Sequence, residues 1–163
     1  VTPRFSAFIP FILSHETSYK KGHYGDDRYV ITERDPDDPG GTTRYGIDFG
    51  EHREKPWKMT EDQIDKLSKA QATEIYWRHW MIDGIEQMPK NLGEVYFNCC
   101  TMSGRGQANL ILGRTNTVEG FLRDEVRVFG LIVKNKPSSK KYVDGWTNRI
   151  VDEARFLGIT ITI

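Results

Sequence analysis

The stretch DPDDPGGTTRYGI, from Asp35 to Ile47, packs three aspartates, two prolines and three glycines into thirteen residues. No helix passes through such a run. Proline lacks the N–H that a helix interior needs, and glycine loses the most backbone entropy on ordering. Asp-Pro and Gly-Gly dipeptides instead set turns, with aspartate side chains bonding nearby backbone amides. The chain is therefore divided at this point, and each side must build its own regular structure.

The preceding side begins as a helix. Thr2-Pro3 joins a cap residue to proline at the first helical position. Phe5, Phe8, Ile9, Ile12 and Leu13 then recur at helical spacing. Pro10 predicts a kink or a later start. Glu16 falls where the apolar stripe would continue, so its side chain is expected half buried. Between this helix and the turn, DRYVIT has strand character, and RYGIDF after the turn reads as the returning strand. A small β-hairpin lobe is expected across residues 17–56.

From Thr60 onward the pattern is helical. Thr60 with Gln63 and Ser68 with Gln71 carry the spacing of capping boxes. Apolar stripes follow through Ile75, Tyr76 and Trp80, through Leu92, Val95, Tyr96, Cys99 and Met102, and from Val118 to Val133. A short helix is expected around Gln107 to Leu112, a loop at NKPSSKK, and a last helix from Val143 closed by Gly158. ITITI at the end alternates like a strand. The fold class is α+β, mostly α: a helical bundle with a β-hairpin lobe after the first helix. Such a chain leaves a cleft between the two lobes, with Glu16 at its edge.

Composition narrows the function. The 163 residues hold 23 basic and 23 acidic side chains, so a dominant attraction to nucleic acid is not expected. No apolar run approaches the roughly 20 residues of a membrane span, and no stable membrane insertion is expected. VTPRFSAFIPFIL lacks a small-residue cleavage site, so no secretory signal is expected. Cys99 and Cys100 are adjacent, which disfavours a disulfide between them, and reduced thiols are expected. No CxxC or HExxH spacing points to a metal.

The run Asp35 to Ile47, following the His15-Glu16 pair, resembles the N-terminal signature of glycoside hydrolase family 108. That family comprises N-acetylmuramidases found among phage endolysins and bacterial proteins. The pattern Asp-Pro-x-Asp-Pro-Gly-Gly-x-Thr-x-Tyr-Gly-Ile is matched in full; the glycines usual after the glutamate are replaced by Thr17 and Ser18. IYWRHWM, VYFNCCTMSG and GWTNRI resemble, more loosely, motifs of the family's peptidoglycan-binding region. The resemblance implies one lysozyme-like catalytic domain over 1–163. Residues 1–58 carry the first helix and β lobe, and 59–163 a helical lobe. It implies cleavage between N-acetylmuramic acid and N-acetylglucosamine, without cofactor or metal, by a monomer acting on peptidoglycan glycan strands. For a phage enzyme it implies storage in the host cytoplasm until the membrane is permeabilised, then access to the periplasm and cell wall. Alternatives are a non-catalytic wall-binding or secretion-assisting module, a lytic transglycosylase, and a chitosanase-like glycanase.

The family glutamate carries over to Glu16 as general acid. Glycoside cleavage needs a carboxylic acid to protonate the leaving oxygen, and apolar surroundings disfavour a carboxyl's charged form. Thr43 and one aspartate of the turn, Asp38 ahead of Asp35, with Asp37 also in play, are the candidates to hold water or stabilise the cation. Tyr45, Tyr76 and Asn98 are the candidate substrate contacts. Against these stand plainer readings. Taken alone, Glu16 reads first as a helix-end carboxylate paired with Arg28 or Arg44 and Tyr76 first as core, while Thr43 reads equally as a strand-end hydroxyl and Tyr45 equally as core.

Overall fold

Thr2 does cap the first helix: its hydroxyl accepts from the Phe5 amide at 3.3 Å, and Pro3 opens the first turn. This helix, α1, runs Pro3–Glu16 without interruption. Pro10 sits on its exposed face, where the carbonyl left without a partner by the missing N–H faces water, so the proline is accommodated inside the helix. The computed structural model describes residues 1–34, 41–52 and 57–160.

Two compact units are present, Val1–His79 and Trp80–Ile163. In the first, α1 leads through a 3₁₀ turn, Asp27–Tyr29, to a three-stranded antiparallel sheet. Its strands are β1 (Glu33–Arg34), β2 (Thr42–Arg44) and β3 (Ile47–Asp48), ordered β1-β2-β3. Short helices α2 (Phe49–His52) and α3 (Glu61–Asp65) follow. Helix α4 (Lys69–Ile82) begins in this unit and ends in the next. DRYVIT, expected as a strand, is instead the 3₁₀ turn and a single bridge from Val30 to Tyr19. The Asp26 side chain explains this: it accepts from the Arg28 amide and guanidinium, a local turn that competes with extended backbone.

Both expected capping boxes form. Thr60 and Gln63 exchange bonds of 2.7 and 3.3 Å at the start of α3. Ser68 and Gln71 exchange bonds of 2.9 and 3.3 Å at the start of α4. Each box satisfies two amide donors that a helix start leaves open. The core of this unit is Phe5, Phe8, Ile12, Ile47 and Ile64, all almost fully buried. Burying each such side chain contributes about 2 kcal/mol.

The second unit is helical: α5 (Leu92–Ser103), α6 (Arg105–Leu112), α7 (Val118–Asn135) and α8 (Val143–Leu157). NKPSSKK, expected as a loop, instead takes in the last residue of α7 and most of the 3₁₀ turn Pro137–Tyr142, which proline starts with its fixed φ. Gly158 closes α8 at φ 68°. Trp80, Phe97, Phe121, Leu122 and Ile150 form the core. The fold is the mostly-α α+β class, with the lysozyme-like placing of a small sheet after the first helix. ITITI lies largely outside the described residues.

Candidate active site

The tight turn of the sheet lies at Tyr45–Gly46. Arg44 pairs with Ile47 across β2 and β3, leaving two residues between them. Both have positive φ, 53° for Tyr45 and 72° for Gly46. Two central residues of positive φ make the type I′ geometry that matches strand twist in two-residue hairpins. Tyrosine is an unusual choice there, and the strain of its left-handed backbone is offset by anchoring. Its ring is buried at 3% exposure, with the Arg44 guanidinium 5.4 Å from the ring centre. Burial pushes the Tyr45 phenol's pKa up.

Gly46 explains why the turn is placed here. A methyl group built on its Cα would stand 2.5 Å from the Glu16 Oε2 atom, 2.7 Å from the Glu16 Cβ and 2.5 Å from the Tyr76 hydroxyl oxygen. Any side chain at position 46 would collide with all three. The bare backbone of the turn is thus one wall of the Glu16 carboxyl, which ends α1 half buried, as the stripe predicts. Tyr76, from α4, completes the corner by donating its hydroxyl to the Tyr45 carbonyl at 2.8 Å.

The cations proposed as plain partners for Glu16 are engaged with other groups. Arg28 pairs with Asp26 at 2.7 Å. Arg44 donates to the Leu67 and Val30 carbonyls at 2.9 and 3.1 Å and to the Thr32 hydroxyl at 3.1 Å. It ties β2 to two neighbouring segments and so holds the turn that follows it.

Thr43 lies mid-strand, opposite Glu33 on one side and Asp48 on the other. Directly paired residues share a face of a sheet, and neighbours along a strand alternate. Thr42 is bonded to Glu61, and Arg34 to Asp65 at 2.9 Å, which marks one face as turned towards α3. Glu33, Thr43 and Asp48 share the other. Glu33 accepts from Ser18 at 2.7 Å, two residues past Glu16, so the segment leaving Glu16 runs along this face. Asp48 escaped the sequence reading. The signal available was its position five residues after Thr43, where a two-residue hairpin brings a strand back into register. Asp35, Asp37 and Asp38 lie outside the described residues.

The three candidate substrate contacts, Tyr45, Tyr76 and Asn98, are all buried. Tyr76 is 4% exposed, and its hydroxyl serves the turn. Asn98, in the second unit, is fully buried. Its amide donates to Glu153 at 2.8 Å and accepts from Arg149 Nε at 2.8 Å. Arg149 also donates to the Thr101 hydroxyl at 2.8 Å. This network ties α5 to α8. Tyr45, at 3% exposure, has no ring face open for stacking a sugar.

A family profile described as Glycosyl hydrolase 108 matches residues 10–104, more than half of the chain. The chain belongs to this family. The match begins within α1 and takes in Glu16, the Tyr45–Gly46 turn and Tyr76. The chain is therefore a glycosidase of a peptidoglycan-degrading family. It is also similar to the solved structure of Brucella abortus SagA, with a TM-score of 0.68 and 19% identity over 95% of this chain and 94% of that one. At that identity the likeness speaks for the fold. No curated protein matches. Among the described residues no helix of this glycosyl hydrolase 108 chain is long and apolar enough to cross a membrane. None of them forms a group of three or more His, Cys, Asp or Glu that could hold a metal ion.

Proposed function

We propose that the chain is an N-acetylmuramidase that hydrolyses the β-1,4 bond between N-acetylmuramic acid and N-acetylglucosamine, with Glu16 as general acid. The observation that supports this most is the close approach of Gly46 to the Glu16 carboxyl. A general acid must be held at a fixed place against the leaving oxygen, and a side-chain-free turn on a buried tyrosine anchor does that. Glu16 protonates the glycosidic oxygen as the bond to the sugar C1 breaks. The oxocarbenium-like sugar is then met by water or by a second carboxylate. Thr43 and an aspartate, Asp38 or Asp35, take this second role, and Asp48, on the Thr43 face, joins them as a candidate. We further propose that the chain works as a monomer on glycan strands, as a phage endolysin held in the host cytoplasm until the membrane is permeabilised.

The test is loss of turbidity of outer-membrane-permeabilised Gram-negative cells, wild type against Glu16→Gln, with product analysis of purified peptidoglycan. New reducing N-acetylmuramic acid ends and an inert Gln variant are expected. Reducing N-acetylglucosamine ends, or 1,6-anhydro ends, would replace the muramidase reading by another glycanase or a lytic transglycosylase. Peptidoglycan binding with no released ends would make the chain a wall-binding module.

A further inference from the structure

Helix α4 carries on its exposed side a hollow that the proposed chemistry leaves unused. Its volume is about 440 Å³, within the roughly 300–1,000 Å³ of small-ligand sites. Trp57, half buried, lines it, and the buried Leu67 and Ile75 form its floor. The His79 ring stacks on Trp57, 4.7 Å away and within 5° of parallel, which fixes the plane of the indole. The rim is polar: Gln71, Glu74 and Arg78 stand exposed along α4. Among the described residues their bonding capacity is only partly used. The Gln71 carbonyl oxygen accepts from the Ser68 amide and hydroxyl, which leaves its NH₂ group to donate. Glu74 Oε1 accepts from Arg78 Nε at 3.1 Å, which leaves Oε2 and the terminal guanidinium nitrogens. A second hollow, of about 810 Å³, shares Ala70 and Glu74 with the first and reaches the last turn of α1 at Leu13 and Ser14. Ala70 is exposed and puts only a methyl group between the two.

We propose that this groove is an accessory glycan-binding site: a strand packs the C–H face of an N-acetylglucosamine ring on Trp57 and meets Gln71, Glu74 and Arg78 with its hydroxyl and acetamido groups. The lining selects that occupant. A pyranose ring joins an apolar C–H face to a belt of hydroxyls, each both donor and acceptor. C–H groups pack well on the electron-rich face of an aromatic ring. The Glu74–Arg78 pair balances charge at the rim, which suits a neutral sugar, whereas a polyanion needs an uncompensated cation. A helical partner would need an apolar stripe, and α4 offers Gln71, Glu74 and Arg78 in its place. Two joined hollows suit an extended polymer. The inference rests on membership of a peptidoglycan-degrading glycosidase family, not on the role of Glu16, and adds a place that holds the strand away from the bond being cut.

The experiment titrates the nitrogen-15-labelled full chain with the hexamer of N-acetylglucosamine and, separately, with a peptidoglycan stem peptide, and follows NMR signals residue by residue. The hexamer is expected to move the Trp57 indole N–H and the Gln71 side-chain amide together, with one shared Kd. In Trp57→Ala the affinity read at Gln71 should fall about tenfold. The Gly46 amide reports the corner at Glu16 independently. Trp57 and Gln71 signals that stay still, while Gly46 moves or not, overturn the inference. So does movement caused by the stem peptide and not by the hexamer, which would make the groove a peptide site. A thermal melt shows whether Trp57→Ala is folded. If it is not, Arg78→Ala, a change at an exposed position, takes its place, with the affinity read at Trp57 lowered about threefold. Wild-type affinity in the folded variant overturns the inference. Glu16→Gln separates the two readings: if that variant cleaves glycan normally while the Trp57 signal responds to the hexamer, the acid assignment fails and the groove stands; if it is inert and Trp57 is unmoved, only the groove fails.

Discussion

The two units each enclose unusual carboxyl groups and treat them in opposite ways. In the first, Glu16 ends a helix half buried, against the bare backbone of a glycine turn. In the second, Glu125 on α7 and Glu153 on α8 are fully buried. Neither Glu125 oxygen meets a conventional hydrogen-bond donor among the described residues, and one oxygen of Glu153 is equally unpaired. Around them stand Glu94, Cys99 and Cys100 of α5, with Arg149 of α8 as the opposing charge. Burial pushes the Glu125 pKa up to about 7 and raises that of Glu153 well above the ordinary carboxylate range, helped by Glu125 and Glu94. A search for displaced acids alone would have chosen this cluster as the active site. Its complete burial argues against that choice. A general acid must reach a substrate, and fully buried carboxyls do not. The lesson is that a displaced pKa marks burial first and chemistry only where the group can be approached.

The contrast is most sharply tested by exchanging the same change between units. Glu16→Gln should cost at least about a thousandfold in glycan cleavage while leaving thermal stability near wild type. Glu125→Gln should do the reverse, changing stability while specific activity of the folded chain stays within about twofold. Loss of activity in both would dissolve the contrast.

A next-largest effect concerns pH. Because the folded-state pKa of Glu125 lies above its ordinary value of 4.5, at about 7, the native chain holds a proton that the unfolded chain releases. This contribution to stability is complete below the unfolded pKa and is lost as pH rises through the folded one. The difference amounts to about 3 kcal/mol between acid and alkaline limits. Glu153 acts in the same direction. Denaturant unfolding followed at about pH 4.5 and about pH 8 should show the decline, and Glu125→Gln should flatten it. A stability curve that rises with pH over this window would contradict the buried neutral acid.

The smallest predicted effect in energy falls on the turn. Gly46→Ala places a methyl group into contact with Glu16 and Tyr76 at positive φ. It should destabilise the chain by about 1–3 kcal/mol and reduce cleavage about a hundredfold through displacement of the acid. Denaturant unfolding paired with turnover reads both. An alanine variant of normal activity would mean that the turn does not position Glu16.

Much of the scaffold was legible in the sequence because local chemistry and tertiary packing agree. Thr2, Thr60 and Ser68 cap helices where their spacing says they should, and the stripe from Phe5 to Leu13 is buried as a stripe. Glu16 was legible for the same reason: it continues that stripe and is half buried. The site was less legible where a residue departs from its ordinary preference. Tyr45 occupies a left-handed turn position that tyrosine seldom takes, so the far stronger turn signals of Asp35 to Gly41 concealed the hairpin beside Glu16. Asn98 sits in a motif reminiscent of substrate binding, yet its amide joins the Arg149 and Glu153 network. Two-way hydrogen-bonding capacity suits it to either setting, and only long-range pairing decides. Asp48 needed the strand register.

The adjacent thiols of α5 carry a consequence for durability. Both Cys99 and Cys100 are free, and burial raises both, Cys100 to about 12 and Cys99 further. At neutral pH almost no thiolate is present, and the thiolate is the form that oxidants and electrophiles attack. The folded chain should therefore be indifferent to the redox state of its surroundings. Maleimide labelling of native protein should be slow and become rapid only on unfolding; rapid labelling of the native chain would show that the helix does not shelter them.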